Sequence, residues 1–258
     1  MCTLVMLVVM QAPLGAEDRV KASNDAFFAA GKDLKARVTM KLIAKDGRER
    51  VRDLTMLRLN AGERGEQKYF LYFHKPADVR RTALMIWKYP AREDDRWIFV
   101  PAVDLVRRIA ADDKRSSFVG SDFTYEDVSG RDVEDDVHRV VRPEKVGDRD
   151  CEVVESVPKS PTDHAKRLTW IDDANRLPLK IEYRDERGEA LRLFTADEVK
   201  EVKAGDRSYW TATRRTMKDV RSGHRTEVSL TSVEYDVGLE DGLFTERNLR
   251  NPPAKWIR

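Results

Sequence analysis

The sequence predicts a mainly β protein: a single strongly curved antiparallel sheet, led by one helix and accompanied by short helical segments. Three observations carry this expectation. Apolar and polar residues alternate along segment after segment, as Val38, Met40 and Leu42 do with Thr39 and Lys41, which is the period of a half-buried strand. Short turn sequences separate the segments: Asp46-Gly47, Asp172-Asp173-Ala174-Asn175, Glu186-Arg187-Gly188 and Ser222-Gly223. Strands joined so closely pair antiparallel. The third observation is one early amphipathic stretch with helical spacing.

In chain order, residues 1–15 carry no charge and include the apolar run from Leu4 to Met10. Leu14-Gly15-Ala16 then offers small residues before Glu17. This reads as the core and cleavage region of a secretory signal, too short for a membrane span. The basic residues that usually open such a signal are missing, which points to a start upstream of Met1. The expected organisation is a signal over 1–16 and one exported, soluble domain over 17–258. Residues 23–34 read as the helix, with Phe27, Phe28 and Leu34 apolar and Ser23 as N-cap. Asp46-Gly47 turns the strand at Val38 into a second one over 49–60. The aromatic runs 68–74 and 82–89 end near Pro76 and Pro90, and Trp97-Ile98-Phe99-Val100 runs into Pro101, as suits residues that cannot donate to a ladder. Residues 104–111 and 239–247 read as short helices or turns. Strands follow over 149–157, 167–171, 179–184, 190–195, 209–219 and 226–236. About ten strands make a sheet that must curl or close to bury a face. A curled sheet with a helix across its mouth is the simplest outcome; a closed barrel or a two-sheet sandwich stays open.

Composition excludes several functions. Forty-eight basic against 46 acidic residues, interleaved and summing to +2, lack the concentrated positive charge of a nucleic-acid binder. Of the two cysteines, Cys2 precedes the apolar run and Cys151 would be alone after processing, so the fold is expected to rest on its core, with Cys151 as a small buried hydrophobe. His74, His138, His164 and His224 are scattered without zinc-site spacing, and no Gly-x-Ser-x-Gly elbow or Gly-rich phosphate loop occurs. The doubled aspartates, such as Asp94-Asp95 and Asp112-Asp113, fall in loops and read as solvated turns. No enzyme activity, metal or cofactor is expected.

Four motif blocks then stand in register: Trp87-Lys88-Tyr89-Pro90; Arg96-Trp97-Ile98-Phe99-Val100-Pro101-Ala102; Val106-Arg107-Arg108-Ile109; and Phe118-x-Gly120-Ser121-Asp122-Phe123-x-Tyr125-Glu126-Asp127. In this order they resemble the outer-membrane lipoprotein-sorting (LolA-like) family, in its subgroup with a Gly-Ser-Asp-Phe block. The resemblance implies a half-open barrel, a bent sheet around an apolar cavity with helices as a lid. It also implies a periplasmic protein that shuttles acyl chains of lipids or lipoproteins, often beside an inner-membrane exporter of the RND/MMPL type. The long charged loops depart from the family's carriers.

The residue pattern supplies candidates for such a cavity. Met40, Leu42, Leu57, Tyr69, Leu71, Phe73, Met85, Trp87, Trp97, Phe99, Trp170 and Ile181 alternate on the expected strands, where they form either lining or ordinary core. Burying a dozen methylenes of an acyl chain would yield roughly 10 kcal/mol before binding costs. Phe27 and Phe28 are expected on the lid. Arg107 and Arg108 either hold the lid or a lipid phosphate, or pair with Asp112, Asp113 or Asp122 to pin the next loop. Asp122 and Phe123 sit in a tight turn that anchors the loop or docks a partner. The expected partners are acyl chains and a membrane transporter, with the protein acting as a monomer. The alternative is an adaptor that carries nothing and docks on the exporter through residues 107–127.

Overall fold

A computed structural model describes residues 14–62, 65–90 and 92–257. Within them, thirteen strands form one antiparallel sheet: β1 (Asp33–Ile43), β2 (Glu49–Ala61), β3 (Glu66–Lys75), β4 (Ala83–Lys88), β5 (Asp95–Val100), β6 (Leu105–Ile109), β7 (Asp136–Val146), β8 (Arg149–Pro158), β9 (Lys166–Asp172), β10 (Pro178–Arg184), β11 (Ala190–Ala204), β12 (Arg207–Asp219) and β13 (Arg225–Tyr235). Their spatial order is β6-β5-β4-β3-β2-β1-β13-β12-β11-β10-β9-β8-β7. Every strand pairs with its sequence neighbour except at two places. In the middle the first and last strands meet, with Met40 opposite Val228. At the ends, β6 and β7 follow each other in sequence yet form the two free edges. Residues 110–135, which include the short helix α2 (Tyr125–Ser129), bridge these edges.

The sheet curls and does not close. Tyr69 of β3 stands far in strand order from Tyr183 of β10 and Phe194 of β11, yet all three share one buried cluster with Phe118 and Phe123 of the bridging segment. A flat sheet would keep them apart. The half-open barrel expectation holds, and the sandwich and closed barrel fall.

Helix α1 (Ala16–Phe28) lies against the inner face. Val20 packs on Val154 and Ile171, Arg19 pairs with Glu152 at 3.0 Å, and Phe27 meets Phe194 edge-on at 5.8 Å. The helix therefore begins and ends earlier than the expected 23–34: Gly15 is its N-cap, Ser23 is buried mid-helix, and Leu34 belongs to β1. Gly31 causes the early stop. Its φ of +71° suits glycine, and a Cβ there would lie 3.0 Å from the Tyr235 ring.

The outer face of β2–β6 is buried as well. After β13 the chain folds back through α3 (Glu246–Arg250) and α4 (Ala254–Ile257), and Leu243, Phe244 and Leu249 cover Leu57, Phe70, Met85 and Phe99. The buried Asp33 carboxylate fixes this return, accepting the N–H groups of Val237, Gly238 and Leu239 at 2.7, 2.9 and 2.9 Å.

Residues 104–111 hold edge strand β6 rather than the expected helix or turn, whereas 239–247, expected as a short helix or turn, hold a 3-10 turn leading into α3. Strand β7 was not expected at all. An edge strand with mostly exposed side chains and Pro143 inside it shows no clean alternation. Cys151 is buried, and burial pushes its thiol up to about 11, as befits a packing residue. The signal expected over 1–16 falls mostly on residues 1–13, outside the described ones.

Asp33→Ala should lower stability by on the order of 3 kcal/mol, because three backbone donors lose a charged acceptor. Urea unfolding measures this. A loss below about 1 kcal/mol would mean the C-terminal return is held by its apolar contacts alone.

Candidate functional site

The inner face, α1 and the bridging segment line a partly open cavity of about 150 Å³. Its walls follow from strand parity. Met56 opposes Leu71 across β2 and β3, and both point inward with Met40 and Leu54; Ile181 opposes Phe194, which opposes Met217, on the other arm. Phe27 and Phe28 form the roof, and Phe118 and Phe123 close the end beneath the bridging segment.

The roof is fastened by polar side chains of the sheet. The last turn of a helix leaves carbonyls without intrahelical donors, and here β2 and β3 supply them. Arg58, 2% exposed, donates to the Phe28 and Ala30 carbonyls. Asn60 Nδ2 donates to the Ala29 and Gly31 carbonyls at 2.8 and 2.6 Å, and Gln67 Nε2 to Phe28 O at 2.8 Å. Burial lowers the Arg58 pKa from its usual value, opposed by nearby Tyr69, Tyr235, Asp33 and Asp236.

The bridging segment is bolted at both ends of the Gly-Ser-Asp-Phe block. Asp122 accepts from Thr226 Oγ1 at 2.7 Å and lies 2.7 Å from His224 Nδ1, tying the turn to β13. Asp127 closes a capping box with Thr124 at the start of α2 and accepts from Tyr183 OH at 3.1 Å and Arg192 Nη1 at 2.6 Å. Arg52 of β2 donates to the Val119 carbonyl. Near α2 the rim is polar: Arg131 pairs with Asp136 at 2.9 Å and Glu126 at 3.1 Å, and Arg167 pairs with Asp136 at 2.7 Å.

A family model described only as an uncharacterized protein matches residues 65–251. The chain belongs to that family. Among solved structures, it is similar to a protein described as an outer membrane lipoprotein-sorting protein domain from Vibrio parahaemolyticus. The two share 28% identity and a TM-score of 0.82, over 91% of this chain and 98% of the other. A DUF1329 family protein from Desulfovibrio piger is 26% identical with a TM-score of 0.80, over 91% and 97% of the two chains. A LolA superfamily protein from Nitrosomonas europaea has a TM-score of 0.68 at 20% identity, over 91% and 99%. No curated protein matches. The fold is LolA-like.

Within this fold, Met40, Tyr69, Leu71, Ile181, Phe27, Phe28 and Phe123 border the cavity. Leu42 and Phe73 join the same buried cluster without reaching it, Phe73 packing on Phe118 at 6.1 Å. Leu57, Met85, Trp87, Trp97 and Phe99 point the other way, under the C-terminal return, where Trp87 Nε1 donates to Phe244 O at 3.2 Å. They were expected inside because β4 and β5 are buried on both faces, and periodicity alone cannot say which face is inner. Trp170 packs with Cys151 and Val153 beneath the Lys180 ammonium, 4.1 Å from its ring centroid, and not on the cavity. Arg107 is exposed, and Arg108 pairs with Asp95, so neither reaches the roof. The roof arginine is Arg58, which sequence reasoning missed. Its signal was a charge at the inward parity of Leu54 and Met56.

Arg58→Met, which removes two charged hydrogen bonds, should speed amide deuterium exchange at residues 27–31 by at least about tenfold while β1–β3 stay protected. Unchanged exchange there would remove Arg58 from the role of fastening the roof.

Proposed function

We propose that this protein is a periplasmic carrier, not an enzyme, that shelters the acyl chains of a lipid or lipoprotein under α1 and serves outer-membrane lipoprotein or lipid trafficking. The observation that carries this reading is an apolar cavity whose roof is held by a few hydrogen bonds rather than by a sealed core. The Vibrio parahaemolyticus relative, described as a lipoprotein-sorting domain, supports the same cargo class. The signal over 1–16 and the single domain after it supply the exported form. A monomer loaded or emptied by an inner-membrane RND/MMPL-type transporter completes the proposal, supported by the motif resemblance.

Magnitudes fit reversible binding. A cavity of about 150 Å³ is the size that holds one benzene ring. A long chain must therefore displace Phe27 and Phe28. The roof's five side-chain hydrogen bonds, at ~1 kcal/mol each, oppose this with ~5 kcal/mol. A dozen buried methylenes supply roughly 10 kcal/mol. The difference, about 5 kcal/mol before the cost of association, leaves binding weak enough for release, as a carrier requires.

Native mass spectrometry of protein purified from a periplasm, with lipid extraction of the same sample, tests the cargo. Displacement of a neutral fluorescent acyl probe tests the site. Ile181→Trp, which fills the cavity, should weaken the probe at least tenfold while melting stays cooperative. Trp97→Leu, on the outer face, should cost stability and leave affinity unchanged. Wild-type protein that binds no acyl probe, or a folded Ile181→Trp that binds fully, would overturn the reading.

A further inference from the structure

Four arginines line the cavity: Arg58, Arg131, Arg167 and Arg215. Three are engaged. Arg58 holds the roof carbonyls, Arg131 pairs with Glu126 and Asp136, and Arg167 pairs with Asp136. Arg215 is different. Among the described residues it makes no ion pair and no hydrogen bond, and the groups that act on its charge are the Tyr69 and Tyr235 phenols, not a carboxylate. Both phenols have other partners: Tyr69 OH donates to Gln67 Oε1 at 3.0 Å, and Tyr235 OH lies 2.8 Å from Thr211 Oγ1.

The surroundings of Arg215 are apolar. It stands opposite Ala196 of β11 and Val228 of β13, and its guanidinium lies over the Phe27 ring of the roof helix, 5.1 Å from the centroid. Burial lowers its pKa to about 10, which still leaves it charged at neutral pH. The side chain is half-buried rather than sealed, so water in the cavity reaches its charge, and an anion placed against it among these apolar neighbours pairs with it more strongly than it would in bulk water. A guanidinium presents a fork of donors matched to carboxylate or phosphate oxygens. The ester- and amide-linked chains of a lipoprotein carry no charge and would leave it unmet.

We propose that the cavity selects an acyl chain ending in an anionic group, carboxylate or phosphate, bound with that group against Arg215 beneath Phe27. This rests on the carrier reading and names the class of its cargo. It also gives the cargo a handle on the roof. An anion on Arg215 competes with the Phe27 ring for the same guanidinium, so head-group binding and roof opening are coupled.

The test compares palmitate with methyl palmitate as competitors of the neutral acyl probe, on the wild type, Arg215→Met and Arg215→Lys. Wild-type protein should prefer palmitate at least tenfold. Arg215→Met should shrink the gap below threefold by losing palmitate while methyl palmitate is held as before, and Arg215→Lys should keep part of it. Palmitoyl lysophosphatidate, run beside uncharged monopalmitoylglycerol and compared with the palmitate gap, tells a phosphate head from a carboxylate as the source of the preference. A second readout does not depend on any variant folding: in wild-type protein, carboxyl-13C palmitate should stay ionised to lower pH when bound than when free. Equal binding of acid and ester, or a bound carboxyl that titrates like free palmitate, overturns the inference and leaves the carrier standing. If no ligand binds, the carrier reading itself falls.

Discussion

The two free edges of the sheet govern this molecule. β6 and β7 are consecutive in sequence yet stand at opposite ends of thirteen strands, so the chain between them must cross the open side of the curl. An open sheet of this size is stable only if it curls and something covers its concave face. Two pieces do so, the bridging segment at the end and α1 across the mouth. Each lacks a ladder of its own with the sheet and is held instead by side chains reaching from strands to backbone carbonyls or carboxylates. The bonds of Asp122 to β13, of Asp127 to β10 and β11, and of Arg58 in β2 to the end of α1 are the fixed points.

That arrangement explains why the Gly-Ser-Asp-Phe block is so polar and yet so buried. Asp122 and Asp127 are acceptors for strands that come late in the chain, and Phe118 and Phe123 between them fill the end of the cavity. The motif is a bolt with two apolar teeth. Its carboxylates are occupied by Thr226, Tyr183 and Arg192, as an anchoring role requires.

Much of the fold was legible because strand parity and turn chemistry are local. Asp46-Gly47, Glu186-Arg187-Gly188 and Ser222-Gly223 each sit where two paired strands turn. The inner wall at Met40, Leu71 and Ile181 was legible for the same reason, since these strands keep a single alternation through the cavity. What failed was non-local. Trp87, Trp97 and Phe99 look like lining until the C-terminal return is seen to cover them, and nothing in β4 or β5 announces that cover. β7 escaped notice because an edge strand buries little. Arg58 and Arg215 escaped because a charge inside an apolar register reads as an exposed position. In this molecule such a charge marks an inward residue with a task.

The sheet's two faces show which cover is permanent. The outer cover brings Phe244 and Leu249 to complete burial and is anchored by a buried carboxylate that accepts three backbone donors. The inner cover buries Val20 but leaves Phe27 and Phe28 half-buried, and the strand side chains that hold it reach carbonyls at a helix end that water can satisfy equally well. Removing the outer cover strands apolar surface and an ionised group. Lifting the inner one exchanges hydrogen bonds, two of them from the Arg58 guanidinium, for hydration and costs about as much as an acyl chain returns. Under the carrier reading, motion therefore falls to α1 and rigidity to the sheet, with the curl as a fixed mould for the cargo that replaces its roof.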